Sequence, residues 1–133
     1  MPFLDTLVGT SLVAVVTGHD CNDTADHVIY TVPPGKSFIP TLLVFYDISA
    51  NMTSYVFSAG LSTAKTDFVA TITCSGATGA TKILVIRPDY NATPAAGSGL
   101  MTIIPAGSTF VIDNITAAGV ACTATVALFG FII

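Results

Sequence analysis

Apolar and polar residues along this chain alternate with a period of two over most of its length. Residues 66–74 show it most clearly: Phe68, Ala70, Ile72 and Cys74 fall on one side of an extended segment, and Asp67, Val69, Thr71 and Thr73 on the other. That alternation marks an antiparallel strand with one buried face. Similar patterns predict strands over 27–32, 37–49, 53–58, 81–87, 100–104, 109–115 and 120–132, with Tyr55 and Phe57 sharing a face. Residues 7–17 read as a first strand or as an amino-terminal arm. Pro40 lies inside the third segment and cannot donate to a ladder, so it requires a bulge or an edge position. Polar or Gly-rich loops are expected over 18–26, 75–80 and 88–99.

One phrase occurs twice. Val32-Pro33-Pro34-Gly35-Lys36-Ser37-Phe38-Ile39 returns as Ile104-Pro105-Ala106-Gly107-Ser108-Thr109-Phe110-Val111. Proline presets the second position of a β-turn, and glycine takes the positive φ that follows. Each copy therefore reads as a corner, built on Pro33 and Gly35 or Pro105 and Gly107, with Phe38 or Phe110 starting the next strand. Two such corners suit the two Greek keys of a jelly roll. The expected fold is an all-β antiparallel sandwich, jelly-roll-like, of about eight strands.

Composition sharpens this picture. The chain has 133 residues, of which 52% are hydrophobic and only 9% charged, where about 25% charged is usual. Glu, Gln and Trp are absent, while the strand formers Thr, Val and Ile abound. The length suits one domain over residues 1–133, with 1–26 open to being an arm and loop. Net charge is −4. Lys36, Lys65, Lys82 and Arg87 are scattered, which excludes a basic stripe for nucleic acid or an anionic membrane surface. Residues 114–133 approach the length of a membrane helix, but they contain Thr116, Thr123 and Thr125 and alternate like a strand. Asp5 stands where a signal peptide needs basic residues. So few charges leave strand edges and faces unprotected, and partners are expected to cover some of them. Leu128, Phe129, Phe131, Ile132 and Ile133, apolar on both sides of the last strand, are the candidate interface.

Candidate chemistry is sparse. Residues 19–27 gather His19, Asp20, Cys21, Asn22, Asp23, Asp26 and His27. They offer oxygen ligands for calcium or softer ligands for zinc, but neither the calcium-loop spacing nor four zinc ligands are present. Asp and Asn also make turns by bonding their own backbone, and no metal or cofactor is expected. No G-x-S-x-G elbow occurs. Every acid is Asp, set at strand ends or turns where solvent keeps a carboxyl ordinary. Asn22, Asn51, Asn91 and Asn114 all carry the glycosylation spacing, read here as Asn turns leading into Thr-rich strands. Cys21, Cys74 and Cys122 form no C-x-x-C pair and read as buried thiols, one disulfide remaining open.

The segment Tyr30-Thr31-Val32-Pro33-Pro34-Gly35-Lys36-Ser37-Phe38, the later Ile104-Pro105-Ala106-Gly107-Ser108-Thr109-Phe110 and the closing Ala127-Leu128-Phe129-Gly130-Phe131 together resemble small structural proteins of tailed bacteriophages. Those proteins carry comparable Pro-Ala-Gly corners and an aromatic last strand on a jelly-roll-like sandwich. The resemblance implies a non-enzymatic virion protein of the capsid decoration (cement) type. It would be a homotrimer bound to the major capsid protein on the capsid exterior, made in the host cytoplasm, with the loops at one end of the sandwich touching capsid. Other expectations weighed are a tail or fibre accessory protein and a carbohydrate-binding module using Tyr46, Tyr55 or Tyr90. A small cupin-type enzyme needs Glu, which the chain lacks.

Overall fold

The computed structural model describes residues 10–74, 82–88 and 103–133. These form eight strands and no helix: β1 (Ser11–Asp20), β2 (Asp26–Thr31), β3 (Phe38–Tyr46), β4 (Tyr55–Leu61), β5 (Ala64–Cys74), β6 (Leu84–Ile86), β7 (Thr109–Thr116) and β8 (Thr123–Ile132). The expected loops over 75–80 and 88–99, apart from Pro88, lie outside the described residues, as does most of the expected strand over 100–104. Two four-stranded sheets, ordered β1-β8-β3-β6 and β2-β7-β4-β5, make a sandwich. The pairs β1·β8, β2·β7, β3·β6 and β4·β5 are nested and all antiparallel. This is a long hairpin wound over on itself, the jelly-roll arrangement with its two Greek keys.

The repeated corners meet each other. Val32 donates to the Ser108 carbonyl (3.0 Å) and Gly107 to the Val32 carbonyl (2.9 Å). Phe38 and Ile104 exchange a second pair of backbone bonds at 2.9 and 2.8 Å, and Ser37 and Ile133 a third at 2.8 and 2.9 Å. Both corners close as β-turns, Lys36 donating to Pro33 (3.2 Å) and Ser108 to Pro105 (3.1 Å). The glycines take φ of 73° and 80°, as type II turns require. The shared proline therefore holds the first turn position, not the second; Pro34 and Ala106 occupy the second. Val32, Ile104, Phe38 and Phe110 are all buried.

The inner faces meet through aromatic rings. Phe45 of one sheet contacts Phe57 of the other at 5.1 Å, Tyr55 stacks on Phe57 at 5.1 Å, and Phe68 meets Phe110 edge-on at 5.4 Å. A register shift between Pro40 and Leu42 supplies the bulge that Pro40 demands. Alternation in β5 fails at one place. Shifts in the β4·β5 register leave Ala70 exposed and Val69 buried, the reverse of the expected sides, because a bulge flips the side-chain phase. β1 also runs further than expected, through Gly18 to Asp20, so the polar loop shortens to residues 21–25.

Each corner phenylalanine fills a closed site, so Phe38→Ala and Phe110→Ala should each lower stability by roughly 3–5 kcal/mol, read by urea denaturation; wild-type midpoints would remove their anchoring role. Gly130→Ala should also destabilise, because an added Cβ would overlap the Ile39 carbonyl and the Phe38 ring. Repositioning β8 against β3 should lower the thermal midpoint by several degrees, a shift visible by calorimetry.

Candidate functional site

The polar residues around 19–27 are placed by an irregularity in β1. A register shift between Val16 and His19, together with Gly18 at φ 68°, turns His19 into the sandwich, where it is 2% exposed. A hydrogen-bond chain begins there. His19 Nε2 donates to the Tyr55 hydroxyl (3.1 Å), and that hydroxyl donates to Asn114 Oδ1 (2.5 Å). Asn114 Nδ2 donates to the Asp20 carbonyl and to Asp23 Oδ1, both at 2.8 Å. His27 Nε2 donates to the Asp23 carboxylate at 2.9 and 3.0 Å. Tyr55 spends its proton on Asn114, so the proton between His19 and Tyr55 belongs to His19 Nε2. His19 Nδ1 is left bare and buried without a partner.

The electrostatics follow from this placement. Burial, helped by the His27 ring 4.6 Å away, lowers the His19 pKa to about 4. Burial alone would raise Asp23, but hydrogen bonds from His27, the Ala25 amide and Asn114 outweigh it and hold that carboxyl at about 2. Burial pushes the Tyr55 phenol far above its ordinary value. The groups spend their donors and acceptors on one another and pin the 21–25 loop to β4 and β7. Among the described residues, no group of three or more His, Cys, Asp or Glu is placed to hold a metal ion. The hydrogen bonds described for the two imidazoles run to Tyr55 and Asp23, not to a serine or cysteine. Asn114 and Tyr55 were not singled out for this role from the sequence; the available signal was an amide at an inward position of the apolar run 110–115.

A second polar group lies on the outer face of β2-β7-β4-β5. Asp26, Asp113 and Ser58 form one cross-strand row, and Lys65 pairs with Asp26 at 2.5 Å. Lys65 holds the Asp26 carboxyl low, while burial and the Asp26 hydrogen bond push Asp113 up. Asp113 sits inside β7, so the expectation that every carboxyl is an ordinary solvated one fails here and at Asp23.

The outer face of the other sheet has a different character. Val15, Ala127, Val44 and Val85 form one row across all four strands. Leu12, Phe129 and Leu42 form a second row, and Phe131 and Ile39 a third. Leu12 is 53% exposed, Val15 46% and Val85 47%. No Asp, Glu, Lys or Arg occurs in residues 11–19, 38–46, 84–86 or 123–132. Of the candidate interface residues, Phe129 and Phe131 lie half-buried on this face, and Ile132 and Ile133 are exposed at its end. Leu128 turns inward and is wholly buried in the core, so it does not reach this surface. Tyr55, offered as a sugar platform, is also fully buried; Tyr46 is half-buried, and Tyr90 lies outside the described residues. No helix among the described residues is long and apolar enough to cross a membrane. Comparison with protein families, curated proteins and solved structures finds no match to this chain.

His19 sets a pH dependence. Its pKa is 6.5 unperturbed and about 4 when folded, so the unfolded chain binds the proton more tightly. Stability should fall as pH drops from 6.5 through 4, by about 3 kcal/mol at the lower end. Asp23, held low, adds stability that is present above pH 3.8 and lost as pH falls through about 2. Urea midpoints measured at intervals from pH 7 to 4 should show the His19 decline. His19→Gln keeps a donor for Tyr55 without titrating, so it should flatten that decline; an unchanged slope would assign it to other groups.

Proposed function

We propose that this protein is a non-enzymatic virion structural protein, a capsid decoration subunit that closes into a homotrimer and clamps the major capsid protein on the capsid exterior. The observation that carries the reading is the apolar outer face of β1-β8-β3-β6, whose one charged strand residue, Asp20, stands at the end of β1. Protein surfaces are rich in apolar atoms, but a contiguous apolar face four strands wide is characteristic of an interaction surface. The opposite sheet bears Asp26, Asp113 and Lys65 on its outer side, so its exposed apolar residues Val28 and Ile115 share that face with charges and the two faces are chemically distinct. Covering the apolar face contributes roughly 25 cal/mol per Å² before the costs of association. A cyclic trimer would seat Phe129, Phe131 and Ile132 near its axis, where symmetry repeats the contact. The jelly-roll architecture serves many functions and is not itself an argument for one. The likeness of the two Pro-Gly corners and the closing strand to phage structural proteins supplies the virion context.

Light scattering after size exclusion, over a dilution series, is expected to give a trimer mass that persists on dilution. Phe129→Asp places a charge in the middle row and should yield folded monomer by circular dichroism. A wild-type monomer at all concentrations would overturn the assembly reading. A trimer that leaves the capsid shells of its own virus bare in co-sedimentation would overturn the capsid partner.

A further inference from the structure

The β1·β8 ladder continues one step beyond its last strand residues. Asp20 lies opposite Thr123, and the next residue, Cys21, donates its backbone N–H to the Cys122 carbonyl at 2.9 Å. Cys21 and Cys122 are thus cross-strand neighbours, and both side chains turn into the core, 0% and 3% exposed. The Cys21 thiol points toward the His19 carbonyl (3.8 Å) and the Cys122 thiol toward the Ala50 carbonyl (3.6 Å), so closing the bond needs a rotation of both side chains within the core. The Cys21 carbonyl accepts from Ala118 (2.9 Å), so a single ladder bond joins the pair; directly opposed residues of an antiparallel pair have Cα atoms about 4.5–5.5 Å apart, within the span of a disulfide. Both cysteines are free thiols in this structure.

We infer that Cys21 and Cys122 are an oxidisable pair that closes an intramolecular disulfide and staples the edge strand β1 to β8. Among the described residues β1 is an edge strand paired in its sheet with β8, so a cross-link at its inner end restrains it against peeling away. The same bond fixes the start of the 21–25 loop and the segment preceding β8. This inference stands independently of the virion reading.

The chemistry needs a disulfide oxidant, here oxidised glutathione. One cysteine thiolate attacks it, forming a mixed disulfide and releasing one glutathione thiolate. The second cysteine then attacks the protein sulfur of that mixed disulfide and releases the other glutathione. Two protein thiols lose two electrons and two protons, and one glutathione disulfide becomes two thiols. Burial pushes the Cys21 thiol up to about 12 and Cys74 up to about 11, so the exchange is slow in the folded protein. It is faster at alkaline pH or while the chain refolds. Cys74 lies close enough to Cys21 to act on it electrostatically and is the internal control, because no ladder bond places it opposite another cysteine.

The test is to oxidise the protein with glutathione disulfide, both folded at pH 8.5 and during refolding from urea, then alkylate and map it without reduction. Trypsin cuts after Lys36, Lys65 and Lys82, which puts Cys21, Cys74 and Cys122 in three separate peptides. The expected result is loss of two hydrogens from the intact mass, one linked pair containing Cys21 and Cys122, and alkylated Cys74. Cys74→Ser should form the same link, and Cys21→Ser and Cys122→Ser should form none. The oxidised form should melt several degrees above the reduced form. Three alkylated cysteines after both treatments, or a link that includes Cys74, would overturn the inference.

Discussion

The clasp between the two Pro-Gly corners is the contact on which the rest of the sandwich depends. The first corner carries the chain from β2 in one sheet to β3 in the other, and the second leads into β7. Backbone bonds between Val32, Ser108 and Gly107, and between Phe38 and Ile104, tie the two crossings together. Each corner then drives a phenylalanine into the core. The separation and offset of the sheets are thereby fixed at one end by backbone geometry. The Phe45, Phe57 and Tyr55 rings complete the packing further along. A side chain can change rotamer to accommodate a misplaced neighbour; a closed turn with a positive-φ glycine cannot do so cheaply.

The other end of the sandwich is closed by polar means. Tyr55 belongs to the apolar ring stack by its body and to the His19–Asn114–Asp23 chain by its hydroxyl. Such a buried network specifies one arrangement when every member is satisfied. Here His19 Nδ1 is the exception, and it makes this end the acid-sensitive one. The two ends therefore divide the labour: one is rigid by backbone closure, the other is held by protonation states.

Much of this was legible in the residues. The period of two predicted the strands, and the doubled corner phrase predicted the turns and their buried phenylalanines, because turn chemistry and alternation are local properties. Pro40 announced its own bulge for the same reason. What escaped was non-local. The bulge that exchanges Val69 and Ala70 depends on the register with β4. The inward turn of His19 depends on a shift against β8. Asn114 reads in sequence as a polar residue near a strand end, and only the arrival of Tyr55 and Asp23 from distant segments makes it the centre of a network. The apolar face was foreseen as a scarcity of Lys and acidic residues. Its confinement to one sheet required the strand order, which places residues 11–19, 38–46, 84–86 and 123–132 side by side.

The nested pairing has a consequence for how the chain reaches this state. β4 and β5 are joined by two residues, so their hairpin closes at little entropic cost. Each outward pair must close a longer loop, and β1·β8, which joins the first and last strands, closes the longest. Topologies dominated by such distant contacts fold slowly. Until β3 and β1 flank it, β8 presents an apolar strand with both edges unpaired. The interval before that final pairing is when newly made chains are most exposed to misassociation with one another. The residues that serve the finished surface are therefore also a hazard during its formation.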